Sequence, residues 1–315
     1  MRKFIRILGW VLLIIVVVLG IGASYIHFTG IPKYTQPQIP DIKVEVTPQK
    51  IEQGQKIASM LCIHCHSNKD NQMAGRKLTD LPSEFGDIYS MNITSDEEKG
   101  IGNWTDGEII YFLRTGLRKD GSYAPPYMPK FPLLSDDDIQ SIVAWLRSGE
   151  HAVKATREEP PTSDPSFLVK LLTHVVMKPL PYPDKAIEKP DTTNQVEWGQ
   201  YLSNKLYGCY HCHSADFKTN DDLFPEKSAG FYGGGNILIN LVGSEIKSLN
   251  ITPDAETGIG SWTEEDFVNA MRAGKRKNGE QLRYPMLPYT RLTDGEIKAI
   301  YAYLRTVPAI KHKVQ

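Results

Sequence analysis

The chain opens with its longest unbroken apolar stretch. Arg2, Lys3 and Arg6 make the first six residues basic, and Ile7 to Ile26 then runs twenty residues without a charge. A run of that length crosses a hydrocarbon core as a helix. A cleaved signal peptide is the rival reading. Its apolar region is normally about 7–15 residues and ends in a small-x-small site. This run is longer, and it leaves through Gly22-Ala23-Ser24-Tyr25-Ile26. The expectation is an uncleaved anchor over residues 1–27, with its basic end cytoplasmic by the positive-inside rule. Everything after about residue 27 then lies outside the cytoplasm.

The pattern next turns polar and Pro-punctuated. Residues 28–47, with Pro32, Pro37 and Pro40, read as an extended tether. Ile51, Ile57, Ala58 and Leu61 then fall at helical spacing over 49–61. A helix after Thr105, with Glu108 completing a capping box, buries Ile109, Ile110, Phe112 and Leu113 and stops at Gly116. Another after Ser135 buries Ile139, Ile142, Val143 and Leu146. Residues 151–192 form a linker in which seven prolines forbid regular structure over most of its length. One stretch escapes, 167–177 (Phe-Leu-Val-Lys-Leu-Leu-Thr-His-Val-Val-Met). It reads as a short helix, packed between domains or lying on the membrane or a partner, and is too short to span.

The pattern then repeats. Asn92-Ile93-Thr94 returns as Asn250-Ile251-Thr252, Gly100 to Thr105 as Gly258 to Thr263, and Ala144-Trp145-Leu146-Arg147 as Ala302-Tyr303-Leu304-Arg305, all at an offset of 158 residues. Two copies of one helical unit are the economical explanation. Thr263, Gly274 and Thr293 repeat the caps, and Ile297, Ile300, Tyr301 and Leu304 the last helix's buried face. The predicted fold is all-α: two tandem domains, 48–150 and 193–315, behind one N-terminal transmembrane helix.

Net charge is −1, which gives no electrostatic footprint for nucleic acid. The four cysteines carry the chemistry. They fall in Cys62-Ile63-His64-Cys65-His66 and Cys209-Tyr210-His211-Cys212-His213, each a C-x-x-C-H. This is the attachment pattern of c-type haem: two thiols add to the two haem vinyl groups, and the following His meets one face of the iron. Rival readings are a zinc site assembled from both motifs and a thioredoxin-like redox pair, the latter without a βαβ pattern around it. The motifs are 147 residues apart, so the second copy has eleven extra residues between motif and Asn-Ile-Thr. The Gly-rich stretch at Gly233-Gly234-Gly235 is their expected place.

A His-bound haem iron needs a ligand on its other face, and the repeat screens eight methionines for it. Only Met128 and Met286 stand at the shared offset, in the loops Tyr127-Met128-Pro129 and Pro285-Met286-Leu287-Pro288. The expected metal ligands are His66 and Met128, then His213 and Met286, with Cys62, Cys65, Cys209 and Cys212 holding two covalent haems. His64 and His211 lie in the C-x-x-C spacers and face away from the iron. Trp104 and Trp262 read as core or haem-edge aromatics able to reach a propionate. Arg114 and Arg272 read as propionate partners or as part of a solvated helix face.

With these residues assembled, residues 48–150 and 193–315 resemble class I c-type cytochromes. The chain is most similar to the multihaem cytochrome c subunits of bacterial membrane-bound alcohol and sugar dehydrogenases, which usually carry three haems where this chain has motifs for two. The resemblance implies an N-terminal helix carrying the haem motif, crossed by a C-terminal helix, with Gly54 and Gly199 at the crossing. It also implies a one-electron carrier rather than an enzyme. Such a carrier would relay electrons from a membrane dehydrogenase or respiratory complex to a soluble cytochrome or terminal oxidase. Its place is the inner membrane, facing the periplasm. Alternatives are a dihaem peroxidase, which predicts one open haem site and so asymmetry, and a docked haem subunit of a larger respiratory complex.

Overall fold

The structure is a computed structural model and describes residues 2–314. Helix α1, Arg2–Thr29, is long and apolar enough to cross a bilayer, and none of it is buried in the protein. At about 1.5 Å per residue its charge-free part spans about 30 Å, the thickness of a hydrocarbon core. The segment after it is extended but not free. Tyr34 N donates to Gly121 O (2.9 Å) and Val44 N to Asp106 Oδ2 (2.9 Å), and Val44 is buried.

Each copy is built on two crossed helices. In the first, α2 (Pro48–Leu61) runs into α3 (Ile63–His66), followed by α4 (Asp106–Thr115) and α5 (Asp136–Leu146). Thr47, Thr105 and Ser135 cap α2, α4 and α5 through their hydroxyls, and Gly116 ends α4 at φ +80°. In the second copy, α7 (Gln195–Gln200) continues as a π-helical stretch over Tyr201–Leu206 into α8 (Cys209–His213), with α9 (Glu264–Ala273) and α10 (Asp294–Leu304) beyond. Helix α2 packs on α5 and α7 on α10. At both crossings a glycine is required. A Cβ at Gly54 would overlap the Ser141 carbonyl, and one at Gly199 the Ala299 carbonyl. The second copy has two more residues between this glycine and its first cysteine. The wide π turn and a left-handed Gly208 (φ +57°) take up the difference.

Two findings differ from the sequence reading. The fold is mostly helical, but the described residues include two small antiparallel sheets: β1 (Gly86–Asp87) with β2 (Asp164–Pro165), and the hairpin β3 (Ile237–Ile239) with β4 (Glu245–Lys247). The extra residues of the second copy also lie elsewhere. Gly75 N donates to His66 O as Gly234 N does to His213 O, both at 2.8 Å. Ile93 N donates to Met73 O (2.8 Å) as Ile251 N does to Tyr232 O (2.9 Å). The Gly-rich stretch therefore has a counterpart in the first copy, and the insertion falls before it, between His213 and Tyr232.

The Pro-rich segment 151–192 is bound along its length to the first copy. Met73 N donates to Ala152 O, Ser95 N to Val153 O, Leu180 N to Thr115 O and Asp136 N to Ile187 O, at 2.7–3.1 Å. Prolines deny this segment a ladder of its own, so its carbonyls serve as acceptors for others. Helix α6, Phe167–Val175, buries Val169 and Thr173 and meets the end of α1, where His174 Nε2 lies 2.9 Å from Gly30 O.

Candidate haem sites

The geometry of each motif follows from a short helix. Helices α3 and α8 carry the second Cys and the His of their motifs, so the pair of thiols and the imidazole emerge at one end of a rigid turn. Burial pushes the Cys62 and Cys209 thiols up to about 12 and those of Cys65 and Cys212 up to about 11. Such thiols stay protonated, the opposite of the depressed values of redox-active C-x-x-C pairs. Among the described residues no three His, Cys, Asp or Glu side chains converge on a metal-binding cluster. The two motifs therefore do not meet as one zinc site.

His66 and His213 are oriented in the same way. His66 Nδ1 lies 2.8 Å from Met91 O, and His213 Nδ1 lies 2.7 Å from Leu249 O. A carbonyl only accepts, so Nδ1 carries the proton and the Nε2 lone pair is left for a metal. Desolvation lowers both imidazole pKa values against this backbone bond, which keeps the rings neutral. Tying the second ring nitrogen to a carbonyl is how proteins fix the orientation of a ligating histidine.

In the second copy a cavity of about 630 Å³ opens beside this ring. Cys209, Cys212 and His213 line it together with Met286, Trp262 and Tyr289. Its volume lies in the range of cofactor sites, and its lining holds the thiol pair, the imidazole and the thioether sulfur that a c-type haem requires. The residues present fit the group. Met128 and Met286 are half-buried against the core and sit in matching turns, each N–H donating three residues back, to Pro125 O and Arg283 O, at 3.0 Å.

The arginines singled out from sequence serve the loops instead of the cavity. Arg114 is fully buried and donates to the carbonyls of Pro132 (3.2 Å) and Leu134 (3.0 Å) and to Asp136 (2.5 Å). Arg272 does the same at Leu292 O (2.7 Å) and Asp294 (2.6 Å). Both staple the end of the Met loop to the start of the last helix. A different pair is matched and partly unpartnered. Arg118 and Arg276 stand at the 158-residue offset, and each has a buried Nε with no partner. Arg276 lines the cavity. A buried unpaired donor of Arg276 at the cavity, repeated at Arg118 by the offset, suits an acidic group bound there. The offset in the sequence could have found them.

The spacer histidines are held by hydrogen bonds of their own. His211 Nε2 lies 2.7 Å from Asp222, in the inserted segment. His64 lies 3.4 Å from Asp80, whose carboxyl the His64 hydrogen bond holds down to about 2.

Residues 51–150 and 196–308 match the Cytochrome c family model, and the chain belongs to that family. It is 30% identical over 273 residues to the cytochrome c subunit of an alcohol dehydrogenase (quinone) from Gluconobacter oxydans, covering 82% of this chain and 55% of the relative. It is 31% identical to the fructose dehydrogenase cytochrome subunit of Gluconobacter japonicus, covering 79% of this chain and 50% of the relative. A diheme cytochrome c-type protein of Cereibacter sphaeroides is 27% identical, with 79% of this chain and 83% of the relative covered. The chain thus spans about half the length of the two dehydrogenase subunits.

Proposed function

We propose that the chain is a membrane-anchored electron carrier with two tandem cytochrome c domains, 48–150 and 193–315, each holding one covalent haem c. Cys62 and Cys65 bind the first haem, with His66 and Met128 as axial ligands. Cys209 and Cys212 bind the second, with His213 and Met286. The observation that carries this reading is the second-copy cavity, where both thiols, the oriented imidazole and the matched methionine meet around one volume. Bound haem supplies reversible one-electron chemistry, and His/Met ligation raises its potential. The chain's own residues do the rest. The carbonyls of Met91 and Leu249 aim the imidazoles. The Arg114 and Arg272 staples fix the loops that carry the sulfurs. Ile259, Phe267, Ile300 and Leu304 form an apolar wall that keeps water from the second site. Arg118 and Arg276 take the propionates.

By likeness to the named relatives, the electron donor is a membrane dehydrogenase in whose complex this chain serves as cytochrome subunit, and the acceptor is another cytochrome or an oxidase. We infer that α1 anchors the chain with its basic end cytoplasmic, so that the soluble part faces the periplasm from the inner membrane. Matched methionines at the shared offset weigh against a peroxidase, whose mechanism needs one open iron.

The test is carbon monoxide binding to the reduced, detergent-solubilised protein with haem counted per chain. Two covalent haems and no CO binding are expected, with one CO taken up in Met128→Ala and one in Met286→Ala. A wild-type haem that binds CO readily refutes the ligand assignment.

A further inference from the structure

The two methionine loops match in position but are held by different devices. In the first copy Lys130 is buried, and its Nζ donates to Pro125 O (2.8 Å) and Met128 O (2.6 Å). The second copy has Pro288 at the matched position, with no side-chain donor. Where the first loop has Pro126, the second has Tyr284. Its hydroxyl lies 2.5 Å from His64 Nε2 and 2.8 Å from Asp80 Oδ2, both in the first copy. A phenol hydroxyl has one proton and two lone pairs, so Tyr284 donates to Asp80 and accepts from His64. The His64 and Tyr284 rings also pack at a centroid separation of 5.2 Å. His64 sits between Cys62 and Cys65, so its ring is placed by the first motif itself.

The contact belongs to a built junction. Lys56 reaches Glu296 (2.6 Å), Arg291 reaches Gln55 (2.8 Å), and Tyr201 Oη bonds Ser135 Oγ (2.9 Å) and Asp138 (2.5 Å), all across the two copies.

We propose that His64 and Asp80 clamp Tyr284 and thereby position the Met286 loop, so that the axial methionine of the second site is set by the haem motif of the first. His64, Asp80 and Tyr284 are positioning residues; none touches the second iron. The inference rests on the ligation of Met286 proposed above. A thioether is a weak ligand, and its bond depends on a sulfur already in place. Tyr284 is two residues from that sulfur, and the loop lacks the lysine that secures its counterpart.

The experiment compares full-length, haem-loaded Tyr284→Phe and Asp80→Asn with wild type and Met286→Ala. It reads CO bound per chain in the reduced state and the red charge-transfer absorption of ferric His/Met haem. Tyr284→Phe keeps the ring's volume and both Cys-His motifs. The expected result is a rise from no CO toward one per chain, with loss of up to half the charge-transfer absorption. Adding Met128→Ala to Tyr284→Phe raises the uptake toward two, which places the effect at the second haem. The clamp is overturned if both variants bind no more CO than wild type while Met286→Ala binds one. If Met286→Ala itself stays closed to CO, the ligation reading falls and the clamp with it.

Discussion

The helix crossing offers a test in which two known effects have opposite signs. Gly54 lies inside α2 and Gly199 inside α7, where alanine is normally favoured over glycine by about 1 kcal/mol. Propensity alone predicts that Gly54→Ala and Gly199→Ala stabilise the protein. The packing predicts the reverse. A methyl on Gly54 would lie 2.5 Å from the Ser141 carbonyl carbon and 2.9 Å from Trp145 Cβ. Relaxed carbon contacts are about 3.5–4.0 Å, so the helices must part by about 1 Å. The obstacle is backbone held in the α5 ladder, which cannot swing aside, and the parting opens a core where Ile57, Ala58 and Trp145 have no solvent exposure. Overpacking of this kind costs about 1–3 kcal/mol, and a fixed backbone neighbour puts it at the upper end. Subtracting the propensity gain leaves about 2 kcal/mol of destabilisation, or a Tm lower by about 10 °C for a unit of this size. Gly199→Ala should match it, since its methyl meets Ala299 and Tyr303 in the same way. The assay is thermal unfolding of the haem-loaded protein followed by far-ultraviolet circular dichroism. A Tm raised by either substitution would show that the helices do not cross at contact distance, and the account of both motif-bearing helices would fail.

Two further predictions concern the junction and the first loop. Lys56 and Glu296 pair at 2.6 Å with both side chains less than a fifth exposed. Lys56→Met alone should cost about 3 kcal/mol because it leaves a desolvated carboxylate unpaired, while Lys56→Met with Glu296→Leu should recover most of the loss; urea midpoints at constant slope decide it. Lys130→Met removes a side-chain donor shared by two carbonyls of the first loop, so it should admit CO at the proposed first haem, raising uptake from none toward one per chain. No CO uptake by this variant would show that the lysine does not hold Met128.

The sequence exposed most of what is local. The caps at Thr105, Ser135, Thr263 and Thr293 were legible because each depends on residues three apart. The motifs were legible because covalent attachment fixes their spacing. Met128 and Met286 emerged because a repeat turns one sequence into an alignment of two. The rest depended on partners far along the chain. Arg114 looked like a surface or propionate residue because its acceptors, the carbonyls of Pro132 and Leu134, leave no trace in residue type. The linker looked like a spacer because proline content shows what a segment cannot form by itself, and says nothing of the Met73, Ser95 and Asp136 N–H groups that donate to it or of the Thr115 carbonyl that accepts from Leu180.

The same reasoning explains where the copies diverge. Both spacer histidines are bound to an aspartate, but the aspartates are not equivalent. Asp80 comes from the segment between the first motif and β1, whereas Asp222 comes from the insertion between His213 and Tyr232. Two unrelated segments thus supply one function to matched side chains. The imidazole carbonyls of Met91 and Leu249, the Arg114 and Arg272 staples, and Met128 and Met286 keep the 158-residue offset, whereas the crossing glycines stand 145 residues apart. Tyr284 and Asp80, which meet across the copies, are not repeated; Pro126 stands at the position matched to Tyr284. A duplicated unit that worked alone would have no reason to vary there in particular. Variation at surfaces that face each other, as at Tyr284 and Asp80, is what two sites come to show when each has been fitted to the other's presence.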